Sequence, residues 1–170
     1  MYTRKRIQKR SYNFITAVFA LLFLVNEALA GEDEGVITEK EVRHTIEKMF
    51  HAISTENSNR NSFYDIVTSD FTLYEMGQVL NATELIDLID STNTIEDDWE
   101  LSDFNISIDS FSAHAFFKNR GRFITLAKGE KKLTQYEWLE SAYLIKENDK
   151  LKIKFYFSDA THKSIEKLTQ

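Results

Sequence analysis

After residue 38, apolar residues recur first with a helical period and later with the period of a β-strand. In the first stretch they stand three or four positions apart: Val42, Ile46, Met49, Phe50 and Ile53. This spacing puts them on one face of an amphipathic helix over residues 39–55. Thr38, with Glu41 three residues on, fits the capping box that begins such a helix. The sequence therefore predicts that its domain begins with this helix.

Two shorter helices and a strand are predicted next. The second helix runs into Ser69 and Asp70, and its apolar residues are Phe63, Ile66 and Val67. From Phe71 to about Leu80 the pattern is typical of a strand, with Gly77 as a bulge or bend. Asn81 or Thr83 caps a third helix. The residues expected on its buried side are Leu85, Ile86, Leu88 and Ile89.

The C-terminal half alternates with a period of two, which indicates strands. Four strands are predicted, at residues 104–108, 113–125, 133–146 and 151–157, with a turn at 147–150 between the last two. One side of the third of these strands carries Leu139, Tyr143 and Ile145. Three helices followed by such a meander predict an α+β fold. We expect the helices to pack inside a strongly curved, mostly antiparallel sheet, as a cone-shaped roll.

The N-terminal segment has the features of a cleavable signal peptide. Five basic residues open it: Arg4, Lys5, Arg6, Lys9 and Arg10. An uncharged apolar core from Phe14 to Val25 follows, and Ala28 and Ala30 suit the small-residue requirement of signal peptidase. The apolar core is shorter than the ~20 residues of a membrane-spanning helix. The predicted organisation is a signal peptide at 1–30, an acidic lead-in at 31–38, one domain at 39–160 and a polar tail at 161–170.

The predicted export and the net charge of the chain without its leader narrow the classes of molecule that it can bind. Removing the leader takes five of the 21 basic and one of the 27 acidic residues, which leaves a net charge of −10 on residues 31–170. Such a charge argues against nucleic acids and anionic membrane surfaces as partners, and favours cationic or neutral ligands. The chain has no cysteine, hence no disulfide or thiol chemistry. It has no phosphate-binding glycine loop, nucleophile elbow or zinc-binding spacing, so no cofactor is expected. The predicted location is periplasmic or secreted.

The order of elements resembles the nuclear transport factor 2-like superfamily, which includes ketosteroid isomerase, scytalone dehydratase and SnoaL-like polyketide cyclases. The resemblance is carried by the helix at 39–55, Ser69–Gly77, Asn81–Ile86 and the closing hairpin at 143–153. It covers about residues 40–160 and implies the cystatin-like α+β cone with a hydrophobic pocket. None of these residues is a chemical signature, so the resemblance is moderately specific for fold and weak for function.

The resemblance places Glu75 where the isomerase has its general base. A carboxylate on a strand that lines an aromatic cavity has a raised pKa, which suits that role. The isomerase's two oxyanion donors correspond to about Met49 or Phe50 and about Ser141. None of these is a strong acid donor, so the resemblance does not carry over the isomerase reaction. An exposed Glu75, or one paired with a lysine, is the alternative.

A ligand pocket is predicted around Glu75. Strand parity adds Phe71 and Leu73, and the other expected members are Phe117, Asn119, Glu137, Ser141, Tyr143 and Phe155. The same aromatic residues serve equally well in a core or a dimer face. A metal site is not predicted, since His44 and His51, with Glu47 between them, lie opposite the buried stripe of their helix.

Three functions remain open. The preferred one is an exported module that binds a small apolar ligand in the cone or forms a homodimer through the sheet. The second is a lyase or isomerase that acts on a hydrophobic cyclic substrate, with Glu75 as general base. The third is a protein-interaction module that uses the outer face of the sheet around Trp138. The first two differ in one structural respect: an enzyme needs Glu75 buried in a pocket with a second polar group opposite it.

Overall fold

The computed structural model describes residues 36–168. Within that range the elements are α1 Glu39–Ile53, α2 Asn61–Ile66, β1 Val67–Glu75, β2 Gln78–Leu80, α3 Ala82–Ser91, β3 Thr94–Ile108, β4 Ser112–Ala127, β5 Glu130–Glu147 and β6 Lys150–Leu168. The predicted signal peptide, including Ala28 and Ala30, lies outside the described residues. No helix between residues 36 and 168 is long and apolar enough to cross a membrane.

Side-chain caps fix where the two longer helices begin. At α1 the Thr38 hydroxyl accepts a hydrogen bond from the amide of Glu41 at 3.2 Å. At α3 the Asn81 side chain accepts from the amides of Thr83 and Glu84, and the Glu84 carboxylate accepts from the Asn81 amide at 2.9 Å. This reciprocal pair is a complete capping box. Asn81, of the two predicted candidates, is therefore the cap.

The first strand begins earlier than the sequence predicts. Val67, assigned above to the second helix, starts β1, and α2 ends at Ile66. The predicted single strand at 71–80 is a hairpin, because Met76 and Gly77 turn the chain with φ of 49° and 78°. These left-handed values favour glycine and tight turns. Gly77 is thus the bend that the sequence predicts.

One six-stranded sheet organises the domain, in the order β2-β1-β6-β5-β4-β3. β1 pairs with β6 in parallel, and the other neighbours are antiparallel. The predicted α+β class and mostly antiparallel, curved sheet are confirmed. Register shifts in β3 and β6 mark bulges, which bend and twist long strands.

The strands extend beyond the predicted limits. β3 starts at Thr94 rather than 104, and β6 continues to Leu168. Residues 161–168, predicted as a polar tail, are therefore the end of a strand that pairs with residues 131–137 of β5. Their side chains are mostly exposed. This extension is therefore held in the sheet by backbone hydrogen bonds rather than by an apolar face. For that reason the sequence shows no alternation of apolar and polar residues there.

The core lies between the helices and the concave face of the sheet. Its largest fully buried apolar side chains come from α1, α2 and three of the strands: Val42, Ile46, Phe63, Val67, Leu144 and Ile153. On α3, Leu85 and Ile86 are buried as predicted, whereas Leu88 is 45% exposed. The prediction that Leu88 lies on the buried side of this helix is therefore wrong.

Candidate functional site

A small cavity lies in the cone, between α1, α3 and the concave face of β1, β5 and β6. Its volume is about 70 Å³. The lining residues are Met49, Phe50, Ile53, Phe71, Leu73, Glu75, Leu85, Trp99, Trp138, Glu140, Tyr156 and Ser158. The walls are mostly apolar and aromatic, with a few polar groups on one side, which is the usual composition of a ligand site.

The polar side of the cavity is a row across three strands. Glu75 of β1 is in register with Ser158 of β6, and Ser158 is in register with Glu140 of β5. Residues in register on neighbouring strands point to the same face. Two carboxyl groups therefore face the cavity from positions two strands apart, about 10 Å between their Cα atoms.

Glu140 is the most deeply buried acid of this row, with 5% of its surface exposed. Asn119 donates a hydrogen bond to its Oε1 at 3.0 Å. Its Oε2 has no hydrogen-bond partner among the described residues. Burial raises the pKa of Glu140 to about 7, and the charge of Glu75 adds to the rise, while Asn119, Tyr156 and Ser158 oppose it. Near neutral pH, this carboxyl group exchanges between donor and acceptor forms.

Glu75 is half-buried at the end of β1. Burial raises its pKa above the ordinary value, and the nearby indole of Trp138 opposes the rise. The Trp138 Nε1 is nevertheless too far or too poorly aligned to form a hydrogen bond, since it is unpaired among the described residues. A partly desolvated carboxylate with a raised pKa accepts protons more readily than one in water.

Tyr156 completes the polar side of the cavity. It lies two residues before Ser158 on β6 and points to the same face. It is 4% exposed, and its hydroxyl forms no hydrogen bond with a described residue. Burial and the nearby Glu140 and Glu75 raise the pKa of its hydroxyl well above the ordinary value, so Tyr156 stays protonated. A buried polar group without a partner costs about 1–3 kcal/mol. Three such atoms, on Glu140, Tyr156 and Trp138, converge on this cavity.

Aromatic rings from α1, β3 and β5 form another wall of the cavity. Phe50 and Trp99 approach to 4.9 Å between ring centroids, and Trp99 stacks on Trp138 at 5.9 Å. Tyr136 continues the stack at 4.8 Å from Trp138. Gly121 leaves room for the Trp138 ring because it has no side chain. A Cβ at this position would lie 2.6 Å from that ring. This wall is therefore tightly packed and fixed by backbone geometry.

Known structures share this architecture. No protein-family model and no curated protein matches the chain. Among solved structures, the hexachlorocyclohexane dehydrochlorinase LinA-type3 from Novosphingobium barchaimii aligns with a TM-score of 0.58 at 8% identity, over 75% of this chain and 90% of that chain. The chain has the nuclear transport factor 2-like fold.

Two further neighbours show how widely this fold is used. A scytalone dehydratase-like protein from Novosphingobium aromaticivorans aligns with a TM-score of 0.60 at 8% identity, over 74% of this chain and 85% of that chain. The S. rosetta CaMKII hub aligns at 0.57 and 15% identity, over 72% of this chain and 95% of that chain. At these identities the likeness shows the fold alone.

Five of the sequence-predicted residues lie in or beside the cavity of this nuclear transport factor 2-like cone. Phe71, Leu73 and Glu75 line it directly. Asn119 is buried behind it and holds Glu140, and Phe117 stacks on Phe104 at 4.7 Å in the adjoining core. The parity assigned to β1 from the sequence agrees with this placement.

The structure places the other four predicted pocket residues on the convex face. Glu137 forms a 3.4 Å ion pair with Arg120, Ser141 hydrogen-bonds to His114 at 2.8 Å, Tyr143 is exposed, and Phe155 packs against Tyr74. On β5 the inward residues have even numbers, as the buried Trp138, Glu140, Ala142 and Leu144 show. Glu140, and not its neighbour Ser141, therefore lines the pocket. Trp138, predicted on the outer face of the sheet, points into the cone.

Sequence reasoning missed Glu140, Tyr156, Ser158 and Trp99 as site residues. Even-numbered burial on β5 could have been found from Trp138, Ala142 and Leu144, but the odd positions are equally apolar. The oxyanion position that the resemblance puts at about Ser141 is one residue away from the inward Glu140. Tyr156 sits on β6 where the resemblance gave no specific residue.

The histidines form no metal site in the part of the chain that the structure describes. Between residues 36 and 168, no group of three or more His, Cys, Asp or Glu side chains is arranged to hold a metal ion. His44 and Glu47 lie 3.9 Å apart on the exposed face of α1, with side chains 62% and 60% exposed.

Proposed function

We propose that the protein is a small-molecule-binding domain whose ligand occupies the cone cavity. The observation that carries the proposal is the convergence of three unpaired buried polar atoms, Glu140 Oε2, the Tyr156 hydroxyl and Trp138 Nε1, on one cavity. Buried polar groups in folded proteins are nearly always paired, so their clustering in one place is typical of a site that a ligand completes. Apolar walls on the opposite side supply the rest of the contact.

The cavity limits the ligand to a small one. At about 70 Å³, it is well below the ~300–1,000 Å³ of sites for drug-sized molecules. A ligand that is larger has to displace the Phe50 and Trp99 rings, which line both this cavity and the groove outside it. We expect compact apolar molecules with one polar group to bind best.

A thermal-denaturation screen tests this function. Small cyclic alcohols, ketones and amines are added to the wild type and to Glu75→Gln, which keeps the shape of the side chain but removes its charge. We expect several compounds to raise the melting temperature of the wild type, and a smaller rise for Glu75→Gln. Glu166→Gln, on an exposed position of β6, is the matched control and should respond like the wild type. If no compound raises the wild-type melting temperature, the proposal fails.

A second candidate is a lyase or isomerase with Glu75 as general base. The observation that favours it is that Glu75 shares its cavity with two groups able to donate a proton, the Tyr156 hydroxyl and protonated Glu140. Such donors stabilise the oxyanion that forms when a base removes a proton next to a carbonyl. The dehydrochlorinase and the dehydratase-like neighbours are named for eliminations, a related class of chemistry.

Isotope exchange tests this second candidate. A small cyclic ketone in D₂O exchanges its α-protons when a base removes them, and NMR follows the loss of signal. The expected result is exchange faster with wild type than with Glu75→Gln, which lacks the base, by about 10²-fold or more. Glu166→Gln is the matched control and should exchange the protons as fast as the wild type. Equal rates with the wild type and Glu75→Gln would remove Glu75 from this role.

We also propose that the convex face forms a homodimer. Phe116 and Phe157 are 52% and 43% exposed there and flank Ser141 in register, beside Tyr74 and Tyr143. Contiguous exposed aromatic residues of this kind are typical of protein interfaces. The same face is the one that the alternative protein-interaction module would use. One structural neighbour is named as the association domain of C. elegans CaMKII.

Light scattering coupled to size-exclusion chromatography tests the dimer. The wild type should elute with twice the chain mass, and Phe157→Lys should elute as a monomer because a charge is placed in the apolar face. Ile165→Lys, at an exposed position outside the patch, is the matched control and should stay dimeric. A monomeric wild type would argue against the dimer and leave the protein-interaction alternative.

Export is also proposed, from the leader that the sequence predicts. The mass of the protein secreted from cells that express the full chain should correspond to a start at Gly31. Ala30→Arg should keep the full mass, because signal peptidase needs a small residue there. Retention of the first thirty residues in the wild type would support an uncleaved anchor instead.

A further inference from the structure

A second hollow adjoins the cone cavity and has a strongly acidic lining. Its volume is about 370 Å³, and Phe50 and Trp99 line it as well as the cavity. The remaining lining residues are Glu47, His51, Ser54, Glu56, Asp97, Asp98 and Leu101. The two aromatic rings are therefore the shared wall between an inner cavity and an outer groove.

Carboxylates dominate both spaces. Four lie in the groove and two, Glu75 and Glu140, in the cavity, whereas no lysine or arginine is among the described residues that line either. His51 is the one basic side chain in the lining. A field of one sign in a water-restricted cleft attracts ligands of opposite charge and repels anions.

Hydrogen bonds hold the Asp97 carboxylate of the groove in place beside the shared wall. The Asp97 carboxylate accepts hydrogen bonds from the Ser54 hydroxyl at 2.8 Å, and from the amide and hydroxyl of Thr55 at 3.1 and 2.7 Å. The Trp99 indole also donates to it, at 3.4 Å. These bonds hold the carboxylate of Asp97 in place next to the Trp99 ring, so a carboxylate and an aromatic face lie side by side.

Two of the three unpaired atoms inside the cavity, on Glu140 and Tyr156, are oxygens that suit a donor. Glu140 is 5% exposed and its Oε2 is unpaired among the described residues, and the oxygen of the 4%-exposed Tyr156 hydroxyl is also without a partner there. An ammonium group carries three N–H donors and no acceptor. Aromatic rings such as Phe50, Trp99 and Trp138 attract a cation to their faces.

On the basis of the proposed function, we propose that the ligand of the cone is a small organic amine in its cationic form. Its ammonium group lies against Glu140 and Glu75 and donates to the Tyr156 oxygen, and its apolar body lies against Met49, Phe50 and Trp99. The acidic groove is the route by which it arrives. Anionic and purely neutral molecules of the same shape lack the charge that these six carboxylates select.

Calorimetric titration with two matched probes tests this inference. Isopropylamine and 2-propanol are small enough for the cavity of about 70 Å³ and have nearly the same shape, and only the amine is cationic at pH 7.5. We expect the amine to bind the wild type at least about tenfold more tightly than the alcohol. In Glu140→Gln the advantage of the amine should fall to about twofold or less, with the alcohol nearly unchanged. Glu166→Gln should keep the wild-type preference.

Failure of the inference and failure of the proposed function give different results. If the alcohol binds as tightly as the amine, the cone is a ligand site but does not select a cation, and this inference is overturned. If neither probe binds, both the inference and the small-molecule function are overturned. The wild-type comparison of the two probes decides the matter even if Glu140→Gln does not fold.

Discussion

Replacing Glu140 by glutamine should change how the stability of the domain depends on pH. Burial raises the pKa of Glu140 from 4.5 to about 7 in the folded state. A raised pKa means that the folded state holds the proton more tightly than the unfolded state. Its contribution to stability is therefore complete below pH 4.5 and is lost as the pH rises through 7. At about 1.4 kcal/mol per pKa unit, the loss amounts to about 3 kcal/mol.

Glutamine has the size of glutamate and still accepts the hydrogen bond of Asn119, but it does not ionise. We expect the free energy of unfolding of the wild type, relative to Glu140→Gln, to fall by about 3 kcal/mol between pH 4.5 and pH 8. Asp70 and Asp103, whose pKa values are lowered by Lys154 and Lys118, act in the opposite direction. They are present in both proteins and cancel in the difference.

Urea denaturation followed by tryptophan fluorescence measures this difference, because Trp99 and Trp138 lie in the same aromatic wall. Glu166→Gln, at an exposed position, is the matched control and should follow the wild type at every pH. If the wild type and Glu140→Gln differ by the same amount at pH 4.5 and pH 8, Glu140 ionises as freely as in water. The assignment of a buried, proton-holding carboxyl group would then be refuted.

Two further substitutions test the framework of the site. Gly121→Ala should lower the free energy of unfolding by about 1–3 kcal/mol, because the new Cβ would lie 2.6 Å from the Trp138 ring. An unchanged urea midpoint would mean that the Trp138 ring can move aside, which would contradict a tightly packed aromatic wall. Asn81→Ala should cost about 1 kcal/mol of folding stability, because it removes the cap of α3. Asn93→Ala, at an exposed position, is the control and should leave the urea midpoint unchanged. Equal effects of the two substitutions would contradict the role of Asn81 as the cap.

The sequence predicted the order of the elements well because helices and strands leave different periods in the chain. The cap residues and apolar stripe of α1 located that helix, and the alternation in β4 and β6 located those strands. The extensions of β3 and β6 carry few buried side chains. They are held by pairing with distant strands, which a local pattern does not record.

The candidate site was harder to predict than the fold, and β5 shows why. Trp138 and Leu144 on one parity and Leu139 and Tyr143 on the other are all apolar or aromatic, so the hydrophobic pattern did not tell which side faces the core. The odd side is apolar because the convex face carries its own exposed aromatic patch. The inward residue that lines the pocket, Glu140, is polar, so it does not mark the inward side of the strand in the hydrophobic pattern. Glu75 was predicted because the resemblance supplied its position.

Methyl-selective NMR gives the most direct test that the cone is a ligand site. Met49 and Leu73 line the cavity, whereas Val79 and Ile165 are 61% exposed on the outside. Titration with isopropylamine should shift the methyl signals of Met49 and Leu73 in a saturable way and leave those of Val79 and Ile165 in place. Shifts confined to the exposed methyl groups, or no shifts at all, would contradict the account.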